Sequence, residues 1–112
     1  MTLILQIVAA IATILTGLYS LLFPRRVFGF TGLTAEGGRG ITEIRAVLGA
    51  FFIGLGAAAL GYGGIAYDML GIAYLVVAVV RAFSMFYDQS IERSNIISVG
   101  TELLLGIMLL LP

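Results

Sequence analysis

The sequence predicts an all-α integral membrane bundle of four helices, built as two antiparallel hairpins with both termini on the extracytoplasmic side. Three observations carry this reading. Hydrophobic types make up 61% of the 112 residues and charged types 11%, with a mean hydropathy of +1.14; a soluble domain averages roughly 45–50% apolar and about a quarter charged. The apolar residues fall into four stretches, each near the roughly 20 residues that a helix needs to cross about 30 Å of hydrocarbon. The arginines outside those stretches cluster in two of the three connections.

The first span is expected near Leu3–Phe23 and ends at Pro24, which donates no N–H and disfavours helix at the residue before it. It has no basic leader and no small-x-small cleavage site, so it is expected to stay as a span and not to be removed as a signal peptide. Arg25–Gly40 reads as a glycine-rich loop, and the second span is placed near Ile41–Gly61. Gly61-Tyr62-Gly63-Gly64 is a tight turn into the third span, Ile65–Tyr87, with Asp68 complementing its first turn. Asp88–Ser94 forms the last turn, and Ser94 or Asn95 is expected to cap the fourth span, Asn95–Leu111. The chain is thus one transmembrane domain, 1–112. No internal repeat relates the two hairpins.

Arg25, Arg26 and Arg39 lie in the first connection and Arg93 in the third, whereas the second connection and both termini carry no arginine. The positive-inside rule makes both arginine-bearing loops cytoplasmic. Arg25 and Arg26, beside Phe23, Phe28 and Phe30, are candidate headgroup-binding or topology-anchoring residues. Tyr19, Tyr62, Tyr67 and Tyr87 fall near span ends, as an aromatic belt requires, and Tyr74 alone is mid-span.

Association in lipid depends on small residues that let backbones approach. The second span carries Ala46, Ala50, Gly54 and Ala58 every four residues and Gly49, Gly56 and Gly63 every seven. Both stripes are expected to touch neighbours, which would put this helix at the centre. In the first span, Gln6, Ala9, Thr13, Thr16, Gly17 and Ser20 form a similar face.

Much chemistry is excluded at once. The ionisable groups are six Arg and six Asp or Glu, with no Lys, His or Cys. Thiolate or imidazole metal sites, histidine-based triads, Schiff-base lysines and disulfides therefore cannot form. No catalytic set, metal site or cofactor is expected, and zero net charge gives no reason to expect nucleic acid. Glu36-Gly37-Gly38-Arg39-Gly40 has no phosphate-loop lysine and reads as a flexible lead-in to the second span.

The informative residues are the charges within the spans. Arg81 lies seven residues before Asp88 and Glu102 seven after Asn95. In an antiparallel hairpin both sit about 10 Å below one boundary, level with each other. A lone charge at span centre costs about 2.5–3.5 kcal/mol on insertion scales, so the two are expected to pair. Arg81, Ser84 and Asp88 share one helical face, as do Asn95, Ser98 and Glu102. Glu43 and Arg45 on the second span are expected to reach the lower part of this seam. One reading is structural: the groups neutralise one another and fix helix register. The other is a site for a polar or anionic headgroup, a quinone-like lipophile or a proton.

On Pro24-Arg25-Arg26 with Phe28-Gly29-Phe30-Thr31-Gly32-Leu33, on Thr42-Glu43-Ile44-Arg45-Ala46, and on Arg81-Ala82-Phe83-Ser84 with Asp88 and Glu102, the chain resembles a family of small bacterial four-helix membrane proteins catalogued as a domain of unknown function. The resemblance implies the fold, the bacterial inner membrane, and the same five charged residues, Glu43, Arg45, Arg81, Asp88 and Glu102; it implies no activity. The chain departs from the family at Thr42, where Asn is usual, and at Gln89, where Gly is usual. Four spans are also similar to small multidrug-resistance transporters, but those rely on an acidic residue in the first helix, which here has none. The expected function is a non-enzymatic accessory or assembly subunit that contacts other membrane chains or a second copy. The alternative is binding or transport of a lipophile with a polar head, quinone-like or lipid, at the charge cluster.

Overall fold

A computed structural model describes all residues, 1–112. The chain is all-α: α1 (Thr2–Leu22), a 3-10 turn (Pro24–Arg26), a short α2 (Val27–Thr31), α3 (Gly37–Tyr62), α4 (Ile65–Tyr87) and α5 (Arg93–Leu110). Four of these, α1, α3, α4 and α5, are long and apolar enough to cross a membrane. The Cα atoms extend 42 × 31 × 16 Å, so the bundle is flattened across the helices. Its long dimension matches α3, whose rise is about 1.5 Å per residue.

Helix α1 packs along α3 and α4 along α5; α3 meets α4, and α1 meets α5, less extensively. The two hairpins therefore stand side by side, and α3 is an outer member of the ring and not its centre. Only 20 of 112 residues are buried, too few for a water-soluble core of this length. The inside of α1 is Ala9, Ala10, Thr13, Gly17 and Ser20, while Leu3, Ile4, Val8, Ile11, Leu15 and Leu18 face outward. Small residues inside and large apolar ones outside suit a bundle whose solvent is hydrocarbon. Outward-facing Thr16 satisfies its hydroxyl on the Ala12 carbonyl at 2.8 Å, and no buried side-chain polar atom lacks a partner.

The termini lie at one end, where the Gln6 side-chain amide donates to the carbonyls of Leu109 (3.1 Å) and Leu111 (3.2 Å). This supplies donors to the unsatisfied C-terminal turn of α5. The connections bearing Arg25, Arg26, Arg39 and Arg93 are at the other end.

Several boundaries differ from expectation. The first connection is not a plain loop: Pro24 starts the 3-10 turn, α2 follows, and Gly32 closes it in the left-handed conformation (φ 78°). Gly37, Gly38 and Gly40 are not a flexible lead-in but part of the first turn of α3, tied by an Arg39–Glu43 ion pair one turn apart. Glu92, not Ser94 or Asn95, is the N-cap of α5, and it makes no side-chain cap bond. Of the belt tyrosines, Tyr67 is buried in the core beside Leu70 and Leu109. Gly63 and Gly64 have positive φ and form the turn between α3 and α4.

The small-residue stripes of α3 divide. Gly49 and Gly56 press against α1, whereas Ala46, Ala50, Gly54 and Ala58 are exposed on the outer surface. Residues Ile44–Ala50 form a π-helical segment within α3, which no sequence pattern announced.

At the end of α4, the Ser90 N–H donates to the Met85 carbonyl (2.9 Å) and the Gln89 N–H to Phe86 (3.4 Å), with Gln89 left-handed at φ 52°. This is a Schellman closure with the wrong residue for it. A side chain there costs roughly 1–2 kcal/mol and glycine loses roughly 0.5–1 in entropy. Gln89→Gly will therefore stabilise the fold by about 0.5 kcal/mol, read as a small rise in melting temperature; a fall would show that the Gln89 side chain contributes contacts that outweigh the strain.

Candidate functional site

Arg81 and Glu102 stand on neighbouring helices, about two turns inside the arginine-bearing end. Both elements are unbroken α-helix from their boundary to these residues, and the two side chains meet across the α4–α5 interface. Arg81 Nε donates to Glu102 Oε1 (2.9 Å) and Oε2 (3.2 Å), and Nη2 to Oε2 (2.8 Å). This side-on, two-point geometry is the strong form of the pair. The Glu102 side chain is 12% exposed and that of Arg81 34%. The carboxylate is the enclosed partner.

The bonding continues outward. Arg81 Nη1 donates to Asn95 Oδ1 (3.1 Å), and Asn95 Nδ2 donates to the Ser90 carbonyl (2.9 Å). Asn95 thus ties the α4–α5 turn to the pair instead of capping α5. A guanidinium has five N–H groups. Three are engaged here and two are not.

Those remaining donors belong to a residue that lines an open groove of about 410 Å³. It is lined by Val76, Val77, Val80, Arg81 and Ser84 of α4 and by Ser90 and Asn95 from the α4–α5 turn and the start of α5. Val76 and Val80 are exposed on the outer surface. The groove therefore opens at the face that would meet lipid, at the level of the ion pair.

A second hollow, of about 150 Å³, lies between the hairpins. Phe51, Phe52 and Leu55 of α3 face Leu70, Ala73, Tyr74 and Val77 of α4 across it, with Thr13 and Glu102 also in its lining. The Thr13 hydroxyl donates to the Ala9 carbonyl (2.9 Å), which leaves Tyr74 OH as donor in the 2.6 Å bond between Tyr74 and Thr13. That bond links α1 to α4 across the bundle.

The other expected members of the seam are elsewhere. Glu43 pairs with exposed Arg39. Arg45 Nη1 donates to the Leu21 carbonyl (2.6 Å), on the side of α1. Entry from the same end had grouped them with the lower part of the seam, but the azimuth of α3 turns both away. Asp88 is exposed at the end of α4 and enters no ion pair, and Ser98 is half-buried outside the groove. Ser84 lines the groove as expected. Arg26 lies 4.6 Å over the Phe23 ring, a cation–π contact, and Arg25 is exposed beside it. Ser90, Tyr74 and Thr13 had no assigned role; the available signals were a mid-span tyrosine and a threonine on the small face of α1.

The pair can hold a hydrogen-bond acceptor on its Arg81 side. It offers no nucleophile next to a base, and the chain contains no group of acidic residues able to hold a metal ion. In comparisons with known proteins, no family model, no curated protein and no solved structure matches the chain.

Proposed function

We propose that this protein is a non-enzymatic multi-span membrane protein that binds a lipophile with a polar head, seating the head on Arg81 in the groove between α4 and the α4–α5 turn. The observation that carries the proposal is the open groove beside the pair. A purely structural ion pair would be expected to be covered on all sides, since exposing a charge to hydrocarbon costs about 2.5–3.5 kcal/mol. Here Arg81 remains one-third exposed, with two N–H groups for an incoming acceptor.

Val80→Trp tests this, because Val80 lines the groove and points outward, away from the pair's bonds. Native mass spectrometry of the wild-type chain in mild detergent should detect saturable binding of added long-chain quinone, fatty amide or phospholipid. The tryptophan variant should lose it while keeping its melting temperature. Failure of the wild type to bind any of these amphiphiles would sink the proposal.

A second reading has its own support. The outward stripe Ala46, Ala50, Gly54 and Ala58 is a close-packing surface that no helix of this chain covers, which fits an accessory or assembly subunit in contact with another membrane chain or a second copy. In either case we place the protein in a bacterial cytoplasmic membrane with the four loop arginines inside, as the family resemblance also suggests. A cysteine at exposed Gly37 will then be labelled only from the cytoplasmic side; labelling of intact cells by an impermeant reagent would reverse the orientation.

A further inference from the structure

The groove and the inner hollow follow one another along α4. Successive turns of that helix supply Ser84, Arg81 and Val77 to the groove, then Val77, Tyr74, Ala73 and Leu70 to the hollow. Val77 belongs to both. The Arg81–Glu102 pair stands at their junction, since Arg81 lines one and Glu102 the other. From Arg81 to Leu70 the helix rises about 16 Å.

The two compartments differ in chemistry. The groove offers guanidinium N–H groups, two serines and Asn95, whereas the hollow is walled mainly by aromatic and aliphatic side chains, with Thr13 and Glu102 as its polar members. The hollow's size is about that of a cavity that admits one benzene ring. It holds one ring or one chain end, and not two chains. Exposed Phe51 and Ala73 border it, so a chain can enter sideways from lipid.

We propose, building on the groove as a head site, that its ligand is a single-chain amphiphile with an uncharged carbonyl head, the chain running along α4 into the hollow. Charge decides the head. Glu102 already neutralises Arg81 through two-point bonding, so an anionic head would meet a site with no net positive charge and a carboxylate behind the guanidinium. A carbonyl oxygen needs only the spare N–H groups. Lipid drives no hydrophobic transfer of the chain. The chain enters because a void in hydrocarbon forfeits dispersion contacts, and because head binding raises its local concentration at the mouth.

The test uses the full chain in nanodiscs and dodecanamide bearing a diazirine at the chain end. After irradiation, peptide mapping should place the label on Phe51–Leu55 and Leu70–Tyr74. Unlabelled dodecanamide and a decyl-substituted benzoquinone should suppress labelling at about tenfold lower concentration than dodecanoate, whose like charge beside Glu102 is costly. A diacyl phosphatidylcholine should not compete. Ala73→Phe, which fills the hollow from an exposed position, should move the label outward. Label spread over the outer residues of all four helices, or equal competition by dodecanoate, overturns this inference but leaves amphiphile binding standing. Absence of saturable binding by every head type removes the groove as a site altogether.

Discussion

Arg81→Glu and Glu102→Arg will each destabilise the bundle by about 3–5 kcal/mol, the range for breaking a buried pair and leaving one charge uncompensated. The doubly swapped protein will recover more than half of the combined loss. Each single reversal sets two like charges in contact where Arg81 now makes a two-point bond to a carboxylate only 12% exposed. The double swap restores opposite signs at the same level. Recovery will be incomplete, because a glutamate at position 81 cannot donate to Asn95 as Arg81 does. Thermal unfolding of all four proteins in one detergent measures the cycle, and the interaction energy should be about 2 kcal/mol or more. Additive losses would refute a direct coupling. Glu43→Gln is the internal control: its partner Arg39 is exposed, and such surface pairs contribute about 0–1 kcal/mol.

The ion pair was legible in the sequence because depth along a helix is a count of residues. Two charges at equal offsets from one turn must be level, and hydrocarbon leaves them no better partner than each other. Glu43 and Arg45 enter from the same end of the bundle without sharing the seam. Their direction depends on the rotation of α3, and the count does not report rotation. The same limit explains the small-residue stripes, where both periods looked equally suited to contact. The structure chooses the one with glycine at its closest points, Gly49 and Gly56, because glycine alone brings backbone to backbone. The π segment Ile44–Ala50 adds a further phase shift, since a hydrogen bond spanning one more residue changes the face presented by all residues beyond it. The groove was illegible for a related reason: it is the space left where α4 and its following turn are not covered, a property of the whole arrangement and of no single residue.

The largest loss from a single methyl group will come at Gly17. A Cβ there would lie 2.6 Å from the Gly49 carbonyl oxygen and 2.9 Å from the Ile53 nitrogen. Both are backbone atoms, so α3 as a whole must retreat. Gly17→Ala will cost about 1–3 kcal/mol, the usual range for overpacking, and Gly17→Leu will prevent the α1–α3 hairpin from closing. Gly71→Ala should be milder, because its nearest obstacles are side-chain atoms, Leu110 Cγ at 2.8 Å and Leu109 Cβ at 3.0 Å, and the nearest backbone atom, the Gly106 carbonyl oxygen, lies 3.1 Å away. Gly54→Ala meets nothing within 4 Å and will stabilise α3 by up to about 1 kcal/mol through helix propensity. The expected order of stability is therefore Gly54→Ala, wild type, Gly71→Ala, Gly17→Ala. The order also reaches the ligand track: Arg45 bonds the Leu21 carbonyl on the same α1–α3 seam, and Phe51, Phe52 and Leu55 of α3 form one wall of the hollow. Moving α3 by the width of a methyl group should therefore alter chain-end labelling in Gly17→Ala and leave it unchanged in Gly54→Ala. If Gly17→Ala were as stable as Gly54→Ala, α1 and α3 would not be in the close contact on which the wall of the hollow depends.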